Sequence, residues 1–228
     1  GIYFNNSSPT IANCIIVNNQ AENGGGILCG ASSPNIVDCI ITGNQAENGG
    51  GVFCAANSSP DITNCKIIGN QSVDNGGGIY CNNSSPTIAN CVVINSQAQN
   101  GSGIFCSSSA PRLINCTFIN NQAENGGGVF CSAGSSPIVV NAIFWKDSPQ
   151  EVYFGIGKPN TITVSYSDIQ GGKSGIVTND NGTVNWGDGN IRLSTLVPDV
   201  DPLFVDPVNG DYHLRDNSLC IGAGTAEG

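Results

Sequence analysis

Several things are scarce in this 228-residue chain. It has no Met, one His, two Trp, and seven Lys plus Arg against 17 Asp plus Glu, giving a formal net charge of −10. A nucleic-acid site needs clustered cations to neutralise several phosphates, so this balance excludes that class of partner. Anionic membrane surfaces are disfavoured for the same reason. No apolar run approaches the ~18 residues that a spanning helix needs, so no membrane insertion is expected in this segment. Charged residues make up only 11% of the chain, well under the ~25% of ordinary domains. The single His213 and the absence of any CxxC leave no zinc ligand set.

What is present is Gly, Asn and Ser in quantity, with 31 Gly and 39% hydrophobic residues. The apolar positions recur regularly, which argues against disorder. Eleven Cys in an acidic, Lys-poor chain favour an oxidising, extracytoplasmic setting. The chain begins at Gly1 in mid-repeat, and the expectation is a processed or partial product of a longer precursor.

The repeat decides the fold class. Pro9, Pro34, Pro60, Pro86, Pro111 and Pro137 recur every 25 or 26 residues. Cys14, Cys39, Cys65, Cys91 and Cys116 keep step, as do Cys29, Cys54, Cys81, Cys106 and Cys131. No unit carries a helical period. Ile27 and Cys29 alternate around Leu28, which is the period of a strand. Ile11, Ile36, Ile62, Ile88, Leu113 and Val139 form one inward column, and Ile16, Ile41, Ile67, Val93, Phe118 and Phe144 another. The column between them accepts Lys66 and is placed outside. Asn13, Asp38, Asn64, Asn90, Asn115 and Asn141 mark a bend that needs left-handed φ. Asn19, Asn44, Asn70 and Asn121 form a second Asn column, broken by Ser96. Runs such as Gly24 to Gly26 suit a tight corner. The predicted fold is all-β: a right-handed parallel β-helix of about six regular coils over residues 1–145. Residues 146–228 follow as irregular C-terminal coils and a loop-rich cap over the last rung.

The motifs GGGI (Gly24 to Ile27), CIIVNN (Cys14 to Asn19) and CTFINN (Cys116 to Asn121) resemble polymorphic outer-membrane-protein-type repeats. The resemblance covers roughly residues 1–145 and implies a β-helix of a bacterial surface or secreted protein. The end of the chain, SLCIGAGT (Ser218 to Thr225), looks like the closing motif of choice-of-anchor segments, with Leu219 and Gly222 where Pro and Asp are usual. That likeness implies an extracellular or cell-surface location. A β-helix hosts enzymes, adhesins and fibres alike, so fold does not give function.

The cysteines admit three arrangements. Pairing within units, Cys14–Cys29, Cys39–Cys54, Cys65–Cys81, Cys91–Cys106 and Cys116–Cys131, uses ten and leaves Cys220. Pairing to the following unit strands Cys14 and Cys131. The third arrangement is two columns of buried free thiols.

Tyr3, Leu28, Phe53, Tyr80, Phe105 and Phe130 alternate with inward residues and are expected as an outward stripe. It would serve for packing under another segment, for subunit assembly, or for stacking sugars. The closing TAEG and opening GIYF together imitate an internal QAENGGGILC junction, which suggests either a cut tandem chain or head-to-tail rung pairing into a filament.

Glu22, Glu47 and Glu124 share a column that Val73 and Gln99 interrupt, and Lys66 and Arg112 have no acidic company. A glycosidase needs two carboxyls held ~5–10 Å apart across a cleft, and none is legible. Asp199, Asp201, Asp206 and Asp211 could hold Ca²⁺, against a bland reading as solvated turns; no other cofactor is implied. Sequons at Asn5, Asn6, Asn57, Asn82, Asn83, Asn115 and Asn181 fall mostly in exposed corners. No Thr column persists for an ice-binding face. The resulting expectation is a non-enzymatic extracellular structural or adhesive solenoid, a fibre subunit in its most concrete form, with self-association or glycans as partners. The alternative is a carbohydrate-binding or carbohydrate-active β-helix.

Overall fold

The computed structural model describes residues 1–191 and 201–226. The chain winds through three parallel sheets of eight, eight and seven strands, about seven turns in all. The first sheet runs from Ile2–Asn5 through Ile27–Gly30, Val52–Ala55, Ile79–Asn82, Ile104–Ser107, Val129–Ser132 and Val152–Phe154 to Ile176–Val177. The second runs from Thr10–Ala12 to Gly182–Trp186, and the third from Ile15–Val17 to Asp168–Ile169. Each coil visits the second sheet, then the third, then the first.

In-register pairing places like residues on like, because adjacent strands stand ~4.8 Å apart with side chains alternating faces. Ile36 pairs with Ile62, Ile62 with the position of Ile88, and Ile88 with Leu113. On the third sheet Ile41, Ile67, Val93, Phe118 and Phe144 stack, the last two with parallel rings 4.6 Å apart. These columns are fully buried and form one continuous core. Burial of such a side chain contributes about 1.5–3 kcal/mol, so each regular coil brings several such increments.

The corners follow from the residues assigned to them. Asn13, Asp38, Asn64, Asn90, Asn115 and Asn141 adopt φ between 52° and 55°, the bend expected for that column. Gly24 and its equivalents Gly49, Gly76, Gly101 and Gly126 take φ of 59–67°. Two residues on, the constraint is close approach: a Cβ on Gly103 would lie 2.5 Å from the Gly128 carbonyl oxygen.

The second Asn column lies inside the solenoid. Asn44, Asn70 and Asn121 are fully buried. The Oδ1 of Asn70 accepts from the Asn44 backbone N–H and Nδ2, both at 3.0 Å, while its own Nδ2 donates to the Ile41 carbonyl at 2.8 Å. This ladder satisfies backbone groups at a corner where the sheet bonding is interrupted.

The disulfide expectation is corrected here: all eleven cysteines are free. Strand register explains why. Cys29, Cys54, Cys81, Cys106 and Cys131 stack on one another along the first sheet. Cys39, Cys65, Cys91 and Cys116 stack at the entry to the third sheet, with half-buried Cys14 in the first place. The within-unit partners therefore belong to different columns. Cys39 donates instead to the Val37 carbonyl at 3.1 Å and Cys91 to that of Ala89 at 3.2 Å. Hydrogen bonding to neighbouring thiols, together with burial, pushes the Cys81 and Cys131 thiols well up, so both stay protonated.

The parallel ladders continue beyond the last sequence repeat, through Val152–Phe154, Asn160–Ser165 and Gly182–Trp186. The tail then folds back along the side of the solenoid. An antiparallel hairpin, Phe204–Asp206 with Asp211–Leu214, lies on the outer face of the third sheet. Phe204 packs with Ile94, Ile119 and Trp145 in a second, smaller core. Beyond the hairpin, Thr225 exchanges two hydrogen bonds with the Asn141 side chain, at 2.8 and 2.9 Å. The described tail is thus a lateral strap, and the Thr225 end of the expected TAEG–GIYF junction lies on the flank.

Candidate functional site

Three surfaces bring chemistry-bearing side chains together. The first is a trough along the edge between the third and first sheets. Its floor is a glutamine column in register: Gln20 bridges Gln45, Gln45 pairs with Gln71, and Gln71, Gln97 and Gln122 continue it. Its inner margin is an amide ladder in which Asn75 donates to Asn48, Asn100 to Asn75 and Asn125 to Asn100 at 3.0–3.3 Å. Between the two columns each coil carries one of Glu22, Glu47, Asp74, Gln99 and Glu124, all exposed.

The structure revises the acidic column read from the sequence. The coil at Gln71–Asn75 holds one extra residue, and its register shifts between Ser72 and Asn75. The Asn100 N–H bonds the Asp74 carbonyl as the Asn48 N–H bonds that of Glu22 and the Asn125 N–H that of Gln99. Asp74 therefore holds the acidic place, and Val73 is the bulged residue. Three adjoining hollows of about 530, 380 and 350 Å³ follow this trough along the axis. Their lining offers carboxamides and carboxyls and no amine. Such a surface hydrogen-bonds hydroxyls and amines and repels polyanions.

The second surface is the aromatic stripe. The structure aligns all six positions in one column, and Tyr153 extends it. The rings cover each other: Phe53 stacks on Tyr80 at 4.7 Å, Phe105 on Phe130 at 4.9 Å and Phe130 on Tyr153 at 5.3 Å. Phe53, Phe105 and Phe130 are only 7–9% exposed, whereas Tyr3 at the end is 62% exposed. Leu28 and Tyr80 are half-buried. The stripe is therefore a self-packed ladder with one open ring.

The third surface is a groove of about 520 Å³ between the C-terminal hairpin and the third sheet. Ile68, Val92 and Ile94 form its floor, and Pro207, Val208 and Tyr212 its outer wall. Lys66, Asn95, Thr117, Asn209 and His213 supply its polar groups. The His213 ring approaches Asp211 at 2.6 Å. The His213 N–H and ring together hold the Asp211 carboxyl below its ordinary range.

A buried acid pair that sequence reasoning missed lies one coil beyond Asn121. Asp147 occupies the next place of the inner Asn ladder, and its Oδ1 accepts from the Asn121 N–H and Nδ2, both at 2.8 Å. Glu151 Oε1 in turn accepts from the Asp147 N–H at 3.2 Å. Burial pushes the Asp147 carboxyl up to about 7. The signal was its spacing from Asn121, hidden because a carboxyl replaces the amide.

The acidic run offered for Ca²⁺ is dispersed where it is described. Asp199 lies outside the described residues. Asp206 caps the following turn through both oxygens to Asn209, Asp211 holds His213, and Asp201 holds the Leu203 N–H. Among the described residues no group of three His, Cys, Asp or Glu is placed to hold a metal ion. Of the sequon residues, Asn6, Asn57, Asn83 and Asn115 sit in exposed left-handed corners.

Residues 38–56 match the Chlamydia polymorphic membrane protein repeat. Residues 50–192 match the right handed beta helix region, which is more than half of the chain. No curated protein and no solved structure matches it. With its three in-register sheets and continuous inner columns, this chain belongs to the right-handed β-helix family.

Proposed function

We propose that this chain is a non-catalytic adhesive solenoid of a bacterial surface, and that it holds an extended neutral or amine-bearing glycan along the Gln-floored trough. One observation carries the reading: five coils present Gln20, Gln45, Gln71, Gln97 and Gln122 in register beside an acidic edge. Identical polar groups repeated at ~4.8 Å steps suit a partner that is itself repetitive. Each contact is weak alone, and affinity accumulates over the ladder. The match to the Chlamydia polymorphic membrane protein repeat supports a surface setting.

The test is retention of the intact chain on immobilised chitosan, dextran and a polyuronate, with reducing ends assayed in the eluate. Retention on chitosan or dextran in excess of the polyuronate, with no new reducing ends, is expected. The double variant Gln71→Ala, Gln97→Ala should lose most of that retention while keeping its fold. Depolymerisation of any of the three would overturn the non-catalytic part, and failure to bind all three would overturn the adhesive part.

A further inference from the structure

The groove beneath the C-terminal hairpin has a composition that the trough does not explain. The outward column of the third sheet reads Ile15, Ile40, Lys66, Val92, Thr117 and Ile143. The column ends at Asp168, paired with Ile143 and buried four strands away from Lys66, so Lys66 is its one cation, and its side chain opens into the groove. Among the described residues no carboxylate lies within ion-pair distance of it; the one such contact is that of the His213 ring with Asp211. The two carboxyls on the hairpin nearby are already engaged: Asp206 with Asn209, and Asp211 with His213.

We propose that this groove is a binding site for a free amphipathic mono-carboxylate, of the fatty-acid type. Its alkyl body would lie between Ile68, Val92 and Ile94 on the sheet and Val208 and Tyr212 on the hairpin, with the carboxylate on the Lys66 ammonium. A volume of about 520 Å³ falls within the range of small-molecule sites, which are apolar hollows with a few placed polar groups. Asn95 and Thr117 add groups able to hydrogen-bond the carboxylate oxygens. The chain's net charge of −10 selects against ligands with several negative charges. A single cation beside Ile68, Val92 and Ile94 matches a single anion on an aliphatic tail. The inference is independent of the trough and stands or falls apart from it.

The experiment is isothermal titration of the intact chain with laurate below its micelle concentration, with dodecylammonium as the opposite-charge control. Saturable one-to-one laurate binding is expected, with at least tenfold weaker binding of dodecylammonium. Lys66→Met should weaken laurate at least tenfold. Val208→Asp, at an exposed position of the hairpin, should do the same without disturbing the solenoid. Equal binding of the two amphiphiles, unchanged affinity in Lys66→Met with the fold intact, or no saturable binding would overturn the proposal. Binding to phosphatidylglycerol vesicles but not to monomeric laurate would overturn the free-ligand form of it.

Discussion

The two faces of the third sheet are built from the same short strands and are covered in different ways. On the inner face Ile41, Ile67, Val93, Phe118 and Phe144 are buried by the coil's own other walls. On the outer face Ile94, Ile119 and Trp145 are buried by a hairpin some 60 to 110 residues away in sequence, while Ile15 and Val17 at the open end stay exposed. The inner face exists as soon as a coil closes on its neighbour. The outer face depends on one lateral strap, attached through Phe204, Tyr212, Leu214 and the Asn141–Thr225 bonds. The lesson is that a solenoid wall is stabilised twice, once by the repeat and once by whatever is folded onto it.

The comparison is broken most severely from the inside. Phe118→Ala leaves a void under Phe144, and should cost about 3–5 kcal/mol, lowering the denaturation midpoint of the whole solenoid. Global loss of amide protection in hydrogen exchange is the readout. Phe204→Ala on the strap should cost less in total and act locally. Protection is expected to fall in the hairpin and on the outer face of the third sheet, with the inner ladders unchanged. If Phe204→Ala instead lowered protection in every coil, the strap would be part of one cooperative unit with the repeat.

The buried Asp147 offers a pH-dependent version of the same test. Its carboxyl is pushed up to about 7 by burial, above the 3.8 of the free group. A raised carboxyl contributes stability that is fully present below pH ~4 and is lost as pH rises through about 7. Asp147→Asn restores the amide that Asn44, Asn70 and Asn121 use. It should flatten the dependence between these pH values and stabilise the chain at pH 8 by on the order of 2–4 kcal/mol, measured by urea denaturation at pH 5 and pH 8. A variant no more stable than the parent at pH 8 would refute the reading of Asp147 as a protonated member of the ladder. The smallest effect concerns the thiols. Since all eleven are free, adding dithiothreitol should leave the melting temperature unchanged. Cys81→Ala should cost about 1 kcal/mol, close to the loss of one buried group of methylene size.

Much of this was legible in advance, and for one reason. A parallel in-register stack converts periodicity in sequence into adjacency in space, so the columns beginning at Ile11, Ile16 and Asn13 could be written down before any coordinates. Legibility failed where the period slipped or ended. The extra residue at Val73 moved Asp74 into the acidic column and made that column look interrupted. The change from amide to carboxyl at Asp147 hid the last member of a buried ladder. Two cysteines in one unit invited pairing within the unit, whereas register stacks each with its equivalents in the neighbouring coils. In the aromatic stripe, alternation along the strand does not report that rings of this size, at Phe53, Phe105 and Phe130, cover one another.

The chain's own letters set the coil length, the inward columns, the left-handed Asn corners and the absence of a basic surface, because each is a local choice repeated every 25 or 26 residues. Where the hairpin lands, what it buries and the groove it leaves beside Lys66 belong to the folded molecule. Phe204, Tyr212 and Leu214 carry no repeat that points to Ile94, Ile119 and Trp145. Their meeting follows from the tail's return along the solenoid and the apolar side chains it finds uncovered there.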